Sequence, residues 1–194
     1  MDYTNTAQTG KSYTHMWDVD TTREFEGGFL FDLTTVPAGT LTVPKGALLK
    51  VDHIERKATL IKTAVLQLAL TAIATEVRLV KGHNLLATDI IGIGAIGITV
   101  GTIVTTNADY DSITIVANSL GVLAVGSILQ TMDAVGATGR TPVNPDGLNY
   151  AEVTLDAQPS CSVIYEAKGV QTAALPQGIT AAIKTALKFM QFIG

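Results

Sequence analysis

Few residues in this sequence have the type and spacing that chemistry needs. Cys161 is the only cysteine, so no intrachain disulfide can form, and a catalytic thiol there would need a histidine partner. His15, His53 and His83 lie far apart and lack the spacing of a zinc site. Asp18, Asp20, Glu24 and Glu26 gather in DVDTTREFE, where carboxylates could hold a hard cation. Arg23 stands where an EF-hand loop needs glycine, and alternating acids on a strand suit a solvated face. Any two acids could be paired for glycoside hydrolysis, but no signature selects a pair.

Two glycine patterns look like phosphate-binding loops and fail on context. Gly92-Ile93-Gly94-Ala95-Ile96-Gly97 matches GxGxxG, which must open a helix whose N-terminus holds a pyrophosphate. Here Ile98–Val104 follows, a strand composition, and the next acid, Asp109, comes too soon and in a turn. These glycines are expected at bends or bulges of a β unit. Thr9-Gly10-Lys11-Ser12 ends like a P-loop, yet Asn5 stands where the first glycine belongs. The reading is a non-enzymatic protein without cofactor or metal, whose function is to be a shaped surface.

The elements behind that surface are β-like. From Lys81 to Gln130, β-branched runs such as Ile96–Val104 and Ser112–Val116 alternate with an Asn-Ala-Asp-Tyr-Asp turn and Ser119-Leu120-Gly121. Leu48–Val51 reads as a strand before a charged turn at Asp52–Lys57. Ala58–Ala74 is rich in Ala and Leu, but Leu66, Leu68 and Leu70 repeat with period two and favour strands. In Thr75–Val80, Val77 and Leu79 share one face and Glu76 and Arg78 the other. A turn-rich loop follows Gln130 and runs to Asn149, of a length that is usually exposed, functional or ordered by a partner. Tyr150–Leu155 and Ser162–Tyr165 read as strands. Thr180 caps a short helix, Ala181–Lys188, with Ile183, Leu187 and Met190 facing the core, and Phe189–Ile193 forms a last strand.

Composition points to an assembly. Hydrophobic residues make up 47% of the 194 and charged ones 15%, well below the ~25% of a typical soluble domain. A subunit that hides a large face tolerates such a composition better than a monomer does. The net charge of −4 and the lack of a Lys/Arg cluster exclude nucleic acid as a partner; Arg56, Lys57 and Lys62 read as a solvated patch. The first residues show no secretion signal, and the fifteen-residue run Ile90–Val104 is too short for a membrane helix. Residues 1–22 read as an extended N-terminal arm and 23–194 as one β-rich domain. Tyr13, His15 and Trp17 are the arm's candidate partner contacts, although Trp17 could equally tuck against its own domain.

Three stretches carry a resemblance. They are Val36–Leu41 with Pro44–Val51; Val80–His83 and Thr88–Ile91 leading to Asp109–Ile115 and Leu120-Gly121; and Ala174–Thr180 with Ala182–Lys184 and Phe192-Ile193. Together the chain resembles head fibre and capsid decoration proteins of tailed phages, of the kind found in phages of gut Bacteroides, and departs from them at Ala87, where glycine is common. The resemblance implies a strand pair around a tight turn and a short helix leading into a final strand. It also implies a virion structural protein on the outer capsid surface, with the major capsid protein as partner and a homo-oligomer, a trimer, as its form. The alternative from another class is a carbohydrate-binding or adhesive β module. The expected fold is mainly β (α+β), a compact barrel- or sandwich-like domain with one short C-terminal helix.

Overall fold

The computed structural model describes residues 16–26, 28–115, 120–156 and 159–194. It is mainly β, with one short helix and strongly curled sheets. The strands β1 (Asp18–Glu24), β2 (Phe29–Phe31), β3 (Thr42–Val43), β4 (Leu48–Asp52) and β5 (Lys57–Leu60) come first. A second group comprises β6 (Thr63–Val65), β7 (Glu76–Leu79), β8 (Ile90–Ile93), β9 (Ile96–Thr99), β10 (Ile103–Val104), β11 (Asp111–Thr114) and β12 (Ile128–Thr131). The chain then returns through β13 (Gly147–Asn149), β14 (Val153–Thr154), β15 (Ser160–Cys161) and β16 (Val163–Gln171) to the helix α1 (Ala181–Ala186) and β17 (Met190–Ile193).

Apart from β3 and β14, which pair with each other, the first and last groups build one sheet in the order β1-β16-β13-β4-β5-β2-β15, with β17 added parallel to β16. Only Ser162 separates β15 from β16, so the sheet curls back onto the strand it started from. The pleat sends neighbouring side chains to opposite faces. Leu49, Phe29, Phe31, Leu60 and Val163 fill the inside of the curl, while Leu48, Leu148 and Ile164 meet Trp17, Ile183 and Leu187 on the outside. Thr180 caps α1 by accepting the Ile183 N–H, and Ile183, Leu187 and Met190 are buried, as their spacing predicts.

Residues 63–131 form a second unit inserted between β5 and β13. Its strands run β6-β12-β8-β9 and β10-β11-β7. A Leu66–Leu79 bridge and the Gln67 N–H to Arg78 carbonyl bond join β6 to β7. On the other side Gly101 donates to the Thr114 carbonyl and Thr114 to that of Thr102. Backbone bonding therefore runs round the whole unit, enclosing Leu66, Val77, Leu79, Ile91, Ile98, Ile113 and Leu129.

Several expectations shift. Ala58–Ala74 forms strands and bridges and no helix, but Leu68 points outward while Leu66 and Leu70 are buried, because the chain bends at Gln67–Leu68. The strand expected over Tyr150–Leu155 shrinks to β14, and that at Ser162–Tyr165 lengthens to Gln171. The arm expected over residues 1–22 joins the sheet at Asp18, where β1 begins. Trp17 is 2% exposed, and β1 pairs with β16 across the length of the chain, Asp18 opposite Lys168. Lys45 Nζ lies 4.4 Å from the Trp17 ring centroid and Tyr150 packs alongside at 6.5 Å. Removing residues 1–22 would thus strip out core and sheet together.

A turn forms at Ala87, where the resembling proteins commonly have glycine. Asp89 N donates to the Leu86 carbonyl, and Thr88 takes φ 78°, a left-handed value that a β-branched residue tolerates poorly.

Two stability measurements check this architecture. Trp17→Ala should cost about 3–5 kcal/mol in urea unfolding, as for other buried aromatics cut to alanine; a loss below about 1 kcal/mol would place the ring outside the core. Thr88→Gly should raise the melting temperature slightly. Releasing the left-handed strain gains about 1–2 kcal/mol, and the extra freedom of the unfolded chain takes back about 0.4–1. A lower melting temperature would contradict the strain.

Candidate functional site

The groups with chemical potential that the fold brings together lie at one end of the inserted unit. Lys62 leaves β5 for β6 in an apolar setting, between Leu60-Ile61 and Ala64-Val65, and is buried. This corrects its reading as part of a solvated patch with Arg56 and Lys57. Its Nζ meets Asp89 Oδ2 at 2.6 Å. The same carboxylate oxygen accepts the Leu86 N–H at 2.6 Å, so Asp89 closes its own turn and neutralises Lys62 together. Burial pulls the Lys62 ammonium below its ordinary range, and Asp89 opposes that pull. An ammonium held this way is a structural tie across the junction of the two units, since a buried cation left unpaired would be costly.

His83 and Asp111 stand next to it. The His83 Nε2 lies 3.4 Å from Asp111 Oδ2, long for a hydrogen bond, so the contact is mainly electrostatic. Asp111 Oδ1 takes Lys81 Nζ at 2.8 Å. A His–Asp pair could orient a general base, but the other ring nitrogen is occupied: His83 Nδ1 accepts the Leu85 N–H at 3.0 Å. That bond assigns the proton to Nε2 and leaves no nitrogen facing a substrate. Burial pushes the His83 pKa down, Asp111 pushes it up, and Lys62 and Lys81 push it down again. The arrangement holds the 81–89 segment over the end of the barrel, where Leu85 joins the core.

The remaining candidates sort as follows. Tyr13 and His15, with the Thr9–Ser12 loop, lie outside the described residues; Trp17 is buried in its own domain. Cys161 is buried inside the curled sheet, and burial pushes its thiol up to about 11, so it is protonated and unreactive at neutral pH. Asp18, Asp20 and Glu24 lie along β1; the Asp18 carboxylate accepts the Asp20 N–H and Arg23 pairs with Glu166. Among the described residues no group of three or more His, Cys, Asp or Glu side chains is placed to hold a metal ion.

The GxGxxG glycines are packing devices. Gly92 and Gly97 face each other across the β8–β9 hairpin, and Gly94 turns it at φ 61°. A Cβ at Gly92 would strike the Ile96 carbonyl, and one at Gly97 the Ala134 carbonyl. Gly97 must be bare because the loop after Gln130 lies against it, exchanging both backbone bonds between Gly97 and Gly136. That loop is therefore ordered by its own chain; Asp133 further clamps it by accepting the Thr141 N–H and hydroxyl.

Several large apolar side chains are left outward. Leu41, Ile54, Ile73, Val122, Val125 and Phe189 are all mostly exposed. The polar cluster was hidden from sequence reasoning because its partners lie about thirty residues apart; the one signal was a lysine set in an apolar run. No protein-family model, curated protein or solved structure matches this chain.

The pH dependence of stability checks the assignment of His83. Its folded pKa is depressed, so its contribution is full above the unfolded value of about 6.5 and is lost as pH falls below it. His83→Asn keeps a side-chain acceptor for Leu85 but cannot titrate in this range. Between pH 7.5 and pH 5 the unfolding free energy of the natural chain should fall more than that of the variant. Equal slopes would show that His83 is not held neutral.

Proposed function

We propose that the protein is a non-enzymatic virion structural protein on the outer surface of a phage capsid, either a decoration subunit or the base of a head fibre. The observation that carries this reading is the division of labour among its side chains. Buried groups able to do chemistry are engaged internally, His83 at Nδ1 by the Leu85 N–H and beside Asp111, and Lys62 by Asp89, while large apolar side chains are left outside. Such a surface suits a subunit that is covered by neighbours in a particle. The motif resemblance adds its weight, since the helix α1 leading into β17 is among the elements it implies. The proposed partners are the major capsid protein and further copies of the chain, as a trimer.

A sugar-binding module gains less support. Its aromatic rings would have to offer open faces. Here Phe25 stacks on Tyr165 at 4.7 Å and meets His53 edge-on at 4.9 Å, and Lys45 covers Trp17.

Mass spectrometry of purified particles of a phage encoding this chain should find it in stoichiometric amounts, and antibodies to it should label intact heads. Its absence from the particles would end the proposal.

A further inference from the structure

Charge in the inserted unit is sparse and mostly paired. Between Thr63 and Thr131 the charged residues are Glu76, Arg78, Lys81, Asp89, Asp109 and Asp111. Arg78 lies 3.5 Å from Glu76, Lys81 pairs with Asp111, and Asp89 takes Lys62. No charged residue occurs between Lys62 and Glu76, or between Asp111 and Asp133.

Those two uncharged stretches are bonded to each other. Leu66 donates to the Ser127 carbonyl and Gly126 to that of Leu66, and Leu70 and Leu123 exchange both backbone bonds. The ladder turns Leu66, Leu70 and Leu120 inward. It leaves Leu68, Ile73, Val122 and Val125 outward, at 51, 89, 76 and 61% exposure. The neighbouring Ala72 and Ala124 are exposed as well.

From this we infer that the outward face of segments 66–75 and 120–127 is a self-association surface, meeting the same face of further copies of this chain around a closed rotation axis. Three considerations select a second copy as the occupant. The face carries no charge to steer or select a charged partner, and two identical copies of it meet without like-charge repulsion. The four large side chains supply roughly half of the ~800 Å² per partner of a standard interface. Closed symmetry covers identical apolar patches without leaving one open for further growth. The inference deepens the subunit reading above and rests on its claim of assembly, not on its placement on a capsid.

Sedimentation of the full chain at tens of micromolar tests it. The natural chain should sediment as a closed oligomer. Ile73→Lys and Val122→Asp, each placing like charges together at the axis, should weaken association at least tenfold with an unchanged circular dichroism spectrum. A monomeric natural chain, or variants that associate as the natural chain does, would overturn the inference. Should a charged variant fail to fold, Val122→Cys gives the same answer. Its thiol should be protected from alkylation at high protein concentration and react on dilution, against a silent background because Cys161 is buried. Equal reactivity at all concentrations would overturn the inference. A monomer that is found in virions, or an oligomer that is not, would separate the failure of this inference from that of the capsid assignment.

Discussion

The structure depends on the stretch from Ser160 to Gln171, the strands β15 and β16 with Ser162 between them. Its pleat places Val163 in one core and Ile164, the next residue, in another. Its first residues pair with β2 and its middle with β13 and β1, and its end carries β17. A strand buried on both sides must place every backbone donor and acceptor. Here that requirement is met by segments drawn from both ends of the chain, which explains why β1 has to reach back from the N-terminal side. A one-residue slip would exchange the two cores, so the register of this strand fixes the packing of Trp17 and α1 as much as that of Phe29 and Leu49.

Charge is managed by the same economy of position. Lys62 sits at the crossing from the outer sheet to the inserted unit, where its own backbone N–H goes to the Thr131 hydroxyl and its ammonium to Asp89. On the far side Thr180 accepts the Ile183 N–H in the first turn of α1 and donates to Gln130 Oε1 on β12. The two units are thus joined by polar side chains with assigned partners and not by a continuous apolar interface alone. Buried polar groups satisfied in this way favour one arrangement over its alternatives.

Local structure was legible in the sequence and long-range pairing was not. β-Branched runs, glycine turns and the Thr180 cap follow from steric and hydrogen-bonding preferences that act within a few residues, and α1 and β17 sit where those preferences place them. DVDTTRE was readable as a strand with a solvated face, but its place at the sheet edge was not, because that depends on a partner some 145 residues away. The same applies to His83 and Asp111, whose meeting depends on how the 81–89 segment folds over the barrel. The glycines of the GxGxxG stretch were legible as bends, but the reason Gly97 has no side chain is a carbonyl at residue 134.

The placement of the inserted unit has a further consequence. Leu49 lies opposite Leu60 on one side and Gly147 on the other, so the chain departs from and returns to neighbours of a single strand, on the order of 10 Å apart. The outer sheet needs nothing from residues 63–131 to complete its own ladder. A unit attached at two adjacent points is a cassette. It can be exchanged for another compact body of similar span while the base that carries it stays unchanged, which frees the two halves of this chain to diverge at different rates.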